Sequence, residues 1–437
     1  MDFKKIAVAA GTLLFFASIL AINFLITEHL FYQFTSVVMK IGSIILISFL
    51  TLIVMRYLGF LWLSFLNGYS TAKTALEGKD FYPGISIIVP AYNEEVTIRQ
   101  SLLSLIKLDY PKYEVIVIDD GSKDKTYHIA SSMAKNYGNV TVRVFKKKNG
   151  GKARALNYGI ERATYNIVMC VDADSKLERD VLKKMVRHFK DPHVAAVAGA
   201  VKVSNADKIL TKLQQLEYIE GLNMSRSGQG FMRAVNIIPG PIGMFKKDAL
   251  KKVGYYDSDT FAEDCDLTLK LITAGFKIDY EPDAMAWTEA PEEVIPLIKQ
   301  RYRWTRGILQ SIRKHSHLLW NFKENPIASF TLWYMQLEGI WWPFMDIFAN
   351  IFLIFIAATY GLSWTIVNWW VLLTIIDGAA ALFCLIFTGE SLRYMLYVPA
   401  YRIFYITFLN IVKVFATIEE WFNLEMSWGK LERKGKI

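Results

Sequence analysis

Long apolar runs at both ends of the chain enclose a middle in which short apolar stretches alternate with polar segments of helical period. Residues 6–26, "IAVAAGTLLFFASILAINFLI", carry no charge, and about 20 apolar residues in a helix cross a hydrocarbon core of about 30 Å. The run is longer than a signal-peptide core, and a second apolar run follows over 41–66, so two membrane helices are predicted within 1–67. Arg56 is the lone charge of that second run and is placed to reach the headgroups. Apolar length returns over 340–362, 366–388 and 396–417, with Trp and Tyr at the edges as membrane interfaces favour. Asp346, Asp377, Arg402 and Lys413 interrupt these segments. An ionised group facing lipid is costly, so the helices that carry them are expected to face one another or a wet cavity.

The start "MDFKK" is basic, which predicts a cytoplasmic N-terminus, and two crossings return the chain to the cytoplasm before its long middle. The reading is a multi-pass protein of the inner (plasma) membrane with a cytoplasmic central domain. The tail "WGKLERKGKI" is basic too and favours the same side, which requires an even number of C-terminal crossings where three segments are apolar enough. Either one segment is re-entrant around Pro399, or a fourth crossing lies in 327–345, or the tail breaks the rule. The expected organisation is 1–67 membrane helices, 80–291 cytoplasmic domain, 292–339 amphipathic interfacial helices, 340–418 membrane helices and 419–437 basic tail.

Strands are predicted at 85–90 "ISIIVP", 114–119 "EVIVID", 140–145 "VTVRVF", 166–172 "NIVMCVD" and 194–203 "VAAVAGAVKV". Helical stretches such as "VTIRQSLLSLIKL" and "KARALNYGIERA" lie between them. Near-continuous apolar strands are buried on both faces, so the middle reads as an α/β domain with a mostly parallel, Rossmann-like sheet. Ligands of such sheets bind beyond the carboxyl ends of the strands. That is where the polar residues fall: "PAYNEE", "DDGSKD", "KKKNGGKA" and "DAD" follow the first four strands. Each alone also reads as something plain: a helix cap for "PAYNEE", a turn for "DDGS", a loop for "NGGK". Together on one edge they read as a site.

Asp172 and Asp174 introduce negative charge at a strand end in a chain of 437 residues with a formal net charge of +9, 53% hydrophobic residues and mean hydropathy +0.24. Two carboxylates one residue apart can share a hard divalent cation, and Mg²⁺ typically completes its shell with substrate phosphate oxygens. Surrounding Lys and Arg then neutralise what remains of a diphosphate, so both signs serve one chemistry. The pI of about 9.1 does not point to nucleic acid, because the lysines are spread over loops, a membrane-facing helix and the tail. Cys170, Cys265 and Cys384 share no metal-ligand spacing and read as buried thiols.

With "PAYNEE", "DDGSKDKT", "NGGKARALN", "DADS", "GPIGMF", "AEDCDL" and "KQRYRW" in this order between membrane segments, the chain resembles the inverting family-2 glycosyltransferases of GT-A fold. The resemblance is to their processive membrane-embedded branch, which contains poly-N-acetylglucosamine, hyaluronan, chitin and cellulose synthases. It implies that Tyr92 stacks on the uracil of a UDP-sugar, with Ala91, Asn93, Glu94 and Asp120 around base and ribose and Lys152 near the nucleotide. It implies Mg²⁺ or Mn²⁺ on Asp174, with Asp172 closer to sugar and diphosphate. It further implies Asp264 as general base, Glu263 as supporting carboxylate and Gly240 beside the acceptor sugar. Gln300, Arg303 and Trp304 stand at i, i+3 and i+4 and so share one helical face. By the resemblance Arg303 stabilises the departing UDP and Trp304 offers its ring to the acceptor. Residues 294–316 also read as a basic amphipathic helix on an anionic bilayer.

The function implied is transfer of a sugar from a UDP donor, N-acetylglucosamine preferred, to the non-reducing end of a growing polysaccharide that the membrane helices export. Compact size and the layout of spans resemble the poly-β-1,6-N-acetylglucosamine synthases most. The partners implied are the UDP-sugar, the polysaccharide acceptor, the lipid bilayer and a small membrane accessory subunit, with no nucleic acid. The rivals are a hyaluronan, chitin or β-glucan synthase, a transferase adding one sugar to a lipid carrier, and a non-catalytic nucleotide-sugar-binding subunit.

Overall fold

The computed structural model describes residues 3–33, 36–77, 80–361, 364–424 and 435. Met1 and Asp2 of the basic start, and 425–434, 436 and 437 of the basic tail expected over 419–437, lie outside the described residues.

The centre is an eight-stranded sheet of order β3-β2-β1-β4-β7-β6-β8-β5. Its strands are β1 (Ile85–Ala91), β2 (Tyr113–Asp119), β3 (Val140–Lys146), β4 (Ile167–Cys170), β5 (Ser175–Leu177), β6 (Val194–Val203), β7 (Gly243–Lys246) and β8 (Lys277–Thr288). The neighbours β3, β2, β1 and β4 run parallel, as do β6 and β8, whereas β7 and β5 are antiparallel to theirs. The five predicted strands are all present, because runs such as 85–89 and 113–119 are buried on both faces and are read from apolarity alone. Separate apolar cores form on the two faces, one around Ile85, Ile87 and Val115, the other around Ile88, Ile116 and Leu156.

The register places the site. Ala91 pairs with Asp119, and Asp119 with Lys146, so the first three strands end flush and their loops emerge side by side. Strand β4 stops earlier, with Cys170 beside Ile88 on one side and Gly243 on the other. The turn after β4 and the loop before β7 therefore meet over the same edge.

Among the described residues, five helical stretches are long and apolar enough to cross a membrane: Lys5–Ile22, Val37–Glu77, Pro326–Tyr360, Ile366–Thr388 and Leu392–Trp421. Their shared apolar core holds Phe16, Phe49, Ile53, Leu373 and Ile376. The helical run over 326–360 is continuous, so no separate crossing lies in 327–345, and the boundary expected at 340 falls inside a helix. The run 392–421 behaves differently from the other four. Just before it Glu390 bonds Lys202 at the end of β6 (2.6 Å), and at its far end Arg306 bonds Glu420 (2.6 Å) and Tyr302 bonds Glu419. Both ends thus touch the sheet domain or its helix Val294–Lys314. The run is about 45 Å long if straight and helical, and it starts and finishes against one body.

Candidate active site

The chain after β4 turns at once, with the Ser175 N–H donating to the Asp172 carbonyl (3.1 Å). Across this turn Asp172 stays partly open while Asp174 is buried, its carboxylate accepting from the Ser175 hydroxyl (3.3 Å). Lys152 opens the helix Lys152–Glu161 and reaches across, 2.7 Å from Asp172 and 3.1 Å from Glu263. Burial alone would lower the Lys152 pKa, but the charges of Asp172, Glu263 and Asp264 outweigh it and hold the ammonium well above its usual range.

Glu263 and Asp264 occupy the first turn of the helix Glu263–Thr273, where the Cys265 N–H donates to Asp264 Oδ1 (2.8 Å). Burial, then the neighbouring Glu263 charge, push Asp264 up to about 6, against the pull of Lys152. Thr268 of the same helix accepts from the Ile238 N–H (3.1 Å), which fixes the Pro-Gly-Pro turn of 239–241 over the carboxylates. Space is tight there: a Cβ at Gly240 would sit 2.8 Å from both Asp172 Oδ2 and Lys152 Nζ. Lys152, Asp172, Gly240, Glu263 and Asp264 thereby line one narrow cleft, floored by Cys170, Phe245 and Tyr256.

The other expected residues lie around this cleft and not in its lining. Ala91 ends β1, buried, followed by Tyr92, Asn93 and Glu94, half-buried. Asn93 adopts a positive φ of 52°, and its side-chain carbonyl accepts from the Lys123 N–H (2.8 Å), so it joins the loops after β1 and β2. Asp120 is buried and accepts from the Gly151 N–H (2.8 Å), the Gly150 N–H (3.1 Å) and Lys147 (2.5 Å). It shapes the glycine loop that delivers Lys152. Gln300, Arg303 and Trp304 lie on the helix Val294–Lys314, Gln300 buried and the other two half-buried. That helix closes on the carboxylates through Gly307, whose ideal Cβ would stand 2.6 Å from the Ala262 nitrogen.

Asp119 was not among the expected residues. It is fully buried at the last position of β2, and neither carboxylate oxygen has a hydrogen-bond partner among the described residues. The doubled acid of "DDGS" is its signal in the sequence. The cysteines are all buried thiols, and burial pushes Cys170 up to about 12.

A cluster of three carboxylates stands elsewhere, at Asp257, Asp259 and Asp266. The Lys314 ammonium already sits among them at 2.7, 2.9 and 2.9 Å, which makes the cluster an ion-pair network. Asp172 and Asp174 form no such trio among the described residues. A two-carboxylate donor set suits Mg²⁺ or Mn²⁺ when a substrate supplies further oxygens.

Residues 86–254 match the model of the family described as Glycosyl transferase family 2. Poly-beta-1,6-N-acetyl-D-glucosamine synthase of Staphylococcus epidermidis is 37% identical over 279 residues, 63% of this chain and 66% of that protein. The enzyme of the same name from Staphylococcus aureus (strain COL) is 36% identical over 278 residues, 63% of this chain and again 66% of that protein. The chain thus spans just under two thirds of the length of these relatives. Among solved structures, the mannosyltransferase PcManGT from Pyrobaculum calidifontis, in complex with GDP-Man and Mn2+, superposes with a TM-score of 0.59. It covers 84% of this chain and 100% of that one at 23% identity, a likeness of fold alone. Fold, motif order and sequence identity converge on a likeness to glycosyl transferase family 2, carried by residues 86–254.

Proposed function

We propose that the chain is a processive, inverting β-glycosyltransferase. It takes a sugar from a UDP donor, preferentially N-acetylglucosamine, and adds it to the non-reducing end of a polysaccharide that passes outward between its membrane helices. The observation that carries this reading is the single cleft holding Lys152, Asp172, Glu263 and Asp264, with the helix of Gln300, Arg303 and Trp304 packed against its rim. The names of the Staphylococcus relatives support the choice of polymer.

In this reading the acceptor hydroxyl attacks the anomeric carbon, its proton passes to Asp264, and the bond to UDP breaks on the opposite face. Asp264 suits a general base, since a pKa of about 6 leaves it ionised at neutral pH yet basic enough to take a proton. Glu263 holds Lys152, and Lys152 balances the acids until a diphosphate arrives. Arg303 stabilises charge on the departing UDP, the electrostatic part of the barrier. Tyr92 stacks on the base, Asn93, Glu94 and Asp120 shape the nucleotide pocket, and Gly240 leaves room for a pyranose. Asp174 and Asp172 would hold Mg²⁺ or Mn²⁺, which neutralises diphosphate charge when bound. The cytoplasmic side, where UDP-sugars are found, would carry the sheet domain. The bilayer and a small membrane subunit complete the partners.

The test is purified full-length protein in lipid, given radiolabelled UDP-sugars one at a time with Mg²⁺ or Mn²⁺. Polymer from UDP-N-acetylglucosamine that a β-1,6-specific hydrolase degrades is expected, with UDP release lost on chelation. A product of one sugar per lipid carrier, or no UDP release from any donor, overturns the reading.

A further inference from the structure

The helical face that carries Gln300 and Trp304 has to hold an acceptor sugar within reach of Asp264, and something must hold that face. Arg301 lies between the motif residues, 3% exposed. Its guanidinium Nη1 donates to the Gln300 side-chain carbonyl (2.5 Å), and its Cζ lies 4.3 Å from the centre of the Trp304 ring. A planar fork can do both at once, which a Lys ammonium cannot. The charge so deeply placed needs a counter-ion. Glu217 supplies it, accepting from Arg301 Nη2 at 2.6 Å.

Glu217 is itself held. The same Oε2 accepts from the Tyr405 hydroxyl (2.6 Å), on the apolar run 392–421. Glu217 and Tyr405 both lie on π-helical turns, over 217–223 and 401–406. Such widened turns cost stability and are found mostly where a side chain must be aimed. From one of them Glu217 meets the guanidinium, and from the other Tyr405 meets Glu217.

We propose that Arg301 is the positioning residue of the acceptor site, fixing Gln300 and Trp304 together, and that Glu217 and Tyr405 lock it to the membrane-facing run. The proposal rests on the glycosyltransferase reading above and deepens it. The hydrogen bonds of Arg301 go to Gln300 and Glu217, and it is not in the lining of the cleft, so its loss falls on the acceptor and spares the nucleotide.

The experiment uses the full chain in lipid nanodiscs and compares wild type with Arg301→Lys and Tyr405→Phe. It reads UDP affinity by calorimetry, UDP release against the concentration of an N-acetylglucosamine oligosaccharide, and product length. Arg301→Lys keeps the ion pair with Glu217 but not the fork, and a misplaced motif is expected to lower acceptor kcat/KM by roughly 10²-fold. Tyr405→Phe raises acceptor KM by a smaller factor and shortens the product. Both keep UDP affinity within about twofold of wild type, the mark of an interaction made with the acceptor alone. Variants of an active wild type that match it in acceptor KM and product length overturn the inference, as does a parallel loss of UDP affinity. A wild type that transfers no sugar overturns the glycosyltransferase reading, and the inference with it.

Discussion

A carboxylate in the first turn of a helix is ordinarily easy to ionise, because that end of the helix carries partial positive charge. Asp264 occupies such a turn and is nonetheless pushed up to about 6, since burial and the adjacent Glu263 outweigh the dipole and Lys152. Turnover is therefore expected to fall with an acid limb near pH 6, and Asp264→Asn is expected to abolish UDP release while UDP still binds. The stability consequence has the opposite sign to the usual one. The folded state binds the Asp264 proton more tightly than the unfolded chain, whose ordinary value is 3.8, so this residue costs stability increasingly as pH rises from 3.8 to about 6. Asp264→Asn should melt higher than wild type at pH 7, by about 1–3 kcal/mol, with the gap closing near pH 4. Thermal unfolding in lipid at the two pH values checks this, and a variant less stable at pH 7 refutes it. The residue types of this site were legible in the sequence as motifs. What Asn93 and Asp120 do was not, because the loop contacts that engage both side chains depend on strands β1, β2 and β3 ending flush.

In the proposed reaction, the meeting of two elements decides whether Asp264 can reach an acceptor. The helix Val294–Lys314 approaches the backbone of 261–262 so closely that a Cβ at position 307 would stand 2.6 Å from Ala262 N and 2.8 Å from the Phe261 carbonyl carbon. Backbone atoms cannot yield as a flexible side chain can. Gly307→Ala is expected to lever the helix away from Asp264, costing about 1–3 kcal/mol of stability and roughly tenfold or more in UDP release. UDP affinity should stay as in wild type, and calorimetry beside the release assay separates the two. At this scale the parallel strands were readable because burial on both faces leaves an unbroken apolar signature. Strand β8 was not. Its Asp279 and Glu281 look like loop residues in the sequence, yet Glu281 is buried and Asp279 half-buried against His188, Arg187 and Arg233, partners that only the fold brings. Pro282 interrupts its pattern further, near the register shift beside Gly199.

Across the whole molecule, three of the four charges that interrupt the C-terminal apolar runs, Asp346, Asp377 and Arg402, find one another. Arg402 bonds Asp346 (2.9 Å) and lies 3.6 Å from Asp377, Asn410 donates to Asp346 (2.8 Å), and the Tyr57 hydroxyl joins Asp377 (2.9 Å) to Glu220 of the sheet domain. Charges in these positions were expected to face the bundle interior, and pairing them there avoids exposing them to lipid. The parity of crossings was undecidable from hydropathy, since 392–421 is apolar enough to span and only its contacts show that both ends meet the same body. That geometry makes a sidedness prediction. If 392–421 lies along the sheet domain, Leu424 is on the domain's side of the bilayer, whereas Tyr360, between the runs ending at 360 and beginning at 364, is on the other. The native cysteines are buried, so single additions report cleanly, and both positions are exposed, at 52% for Tyr360 and 51% for Leu424. In sealed vesicles a membrane-impermeant maleimide should label Tyr360→Cys and Leu424→Cys from opposite faces. A true crossing by 392–421 would put both on one face, and labelling of the pair from the same side would send the C-terminus, with its lysines, across the membrane.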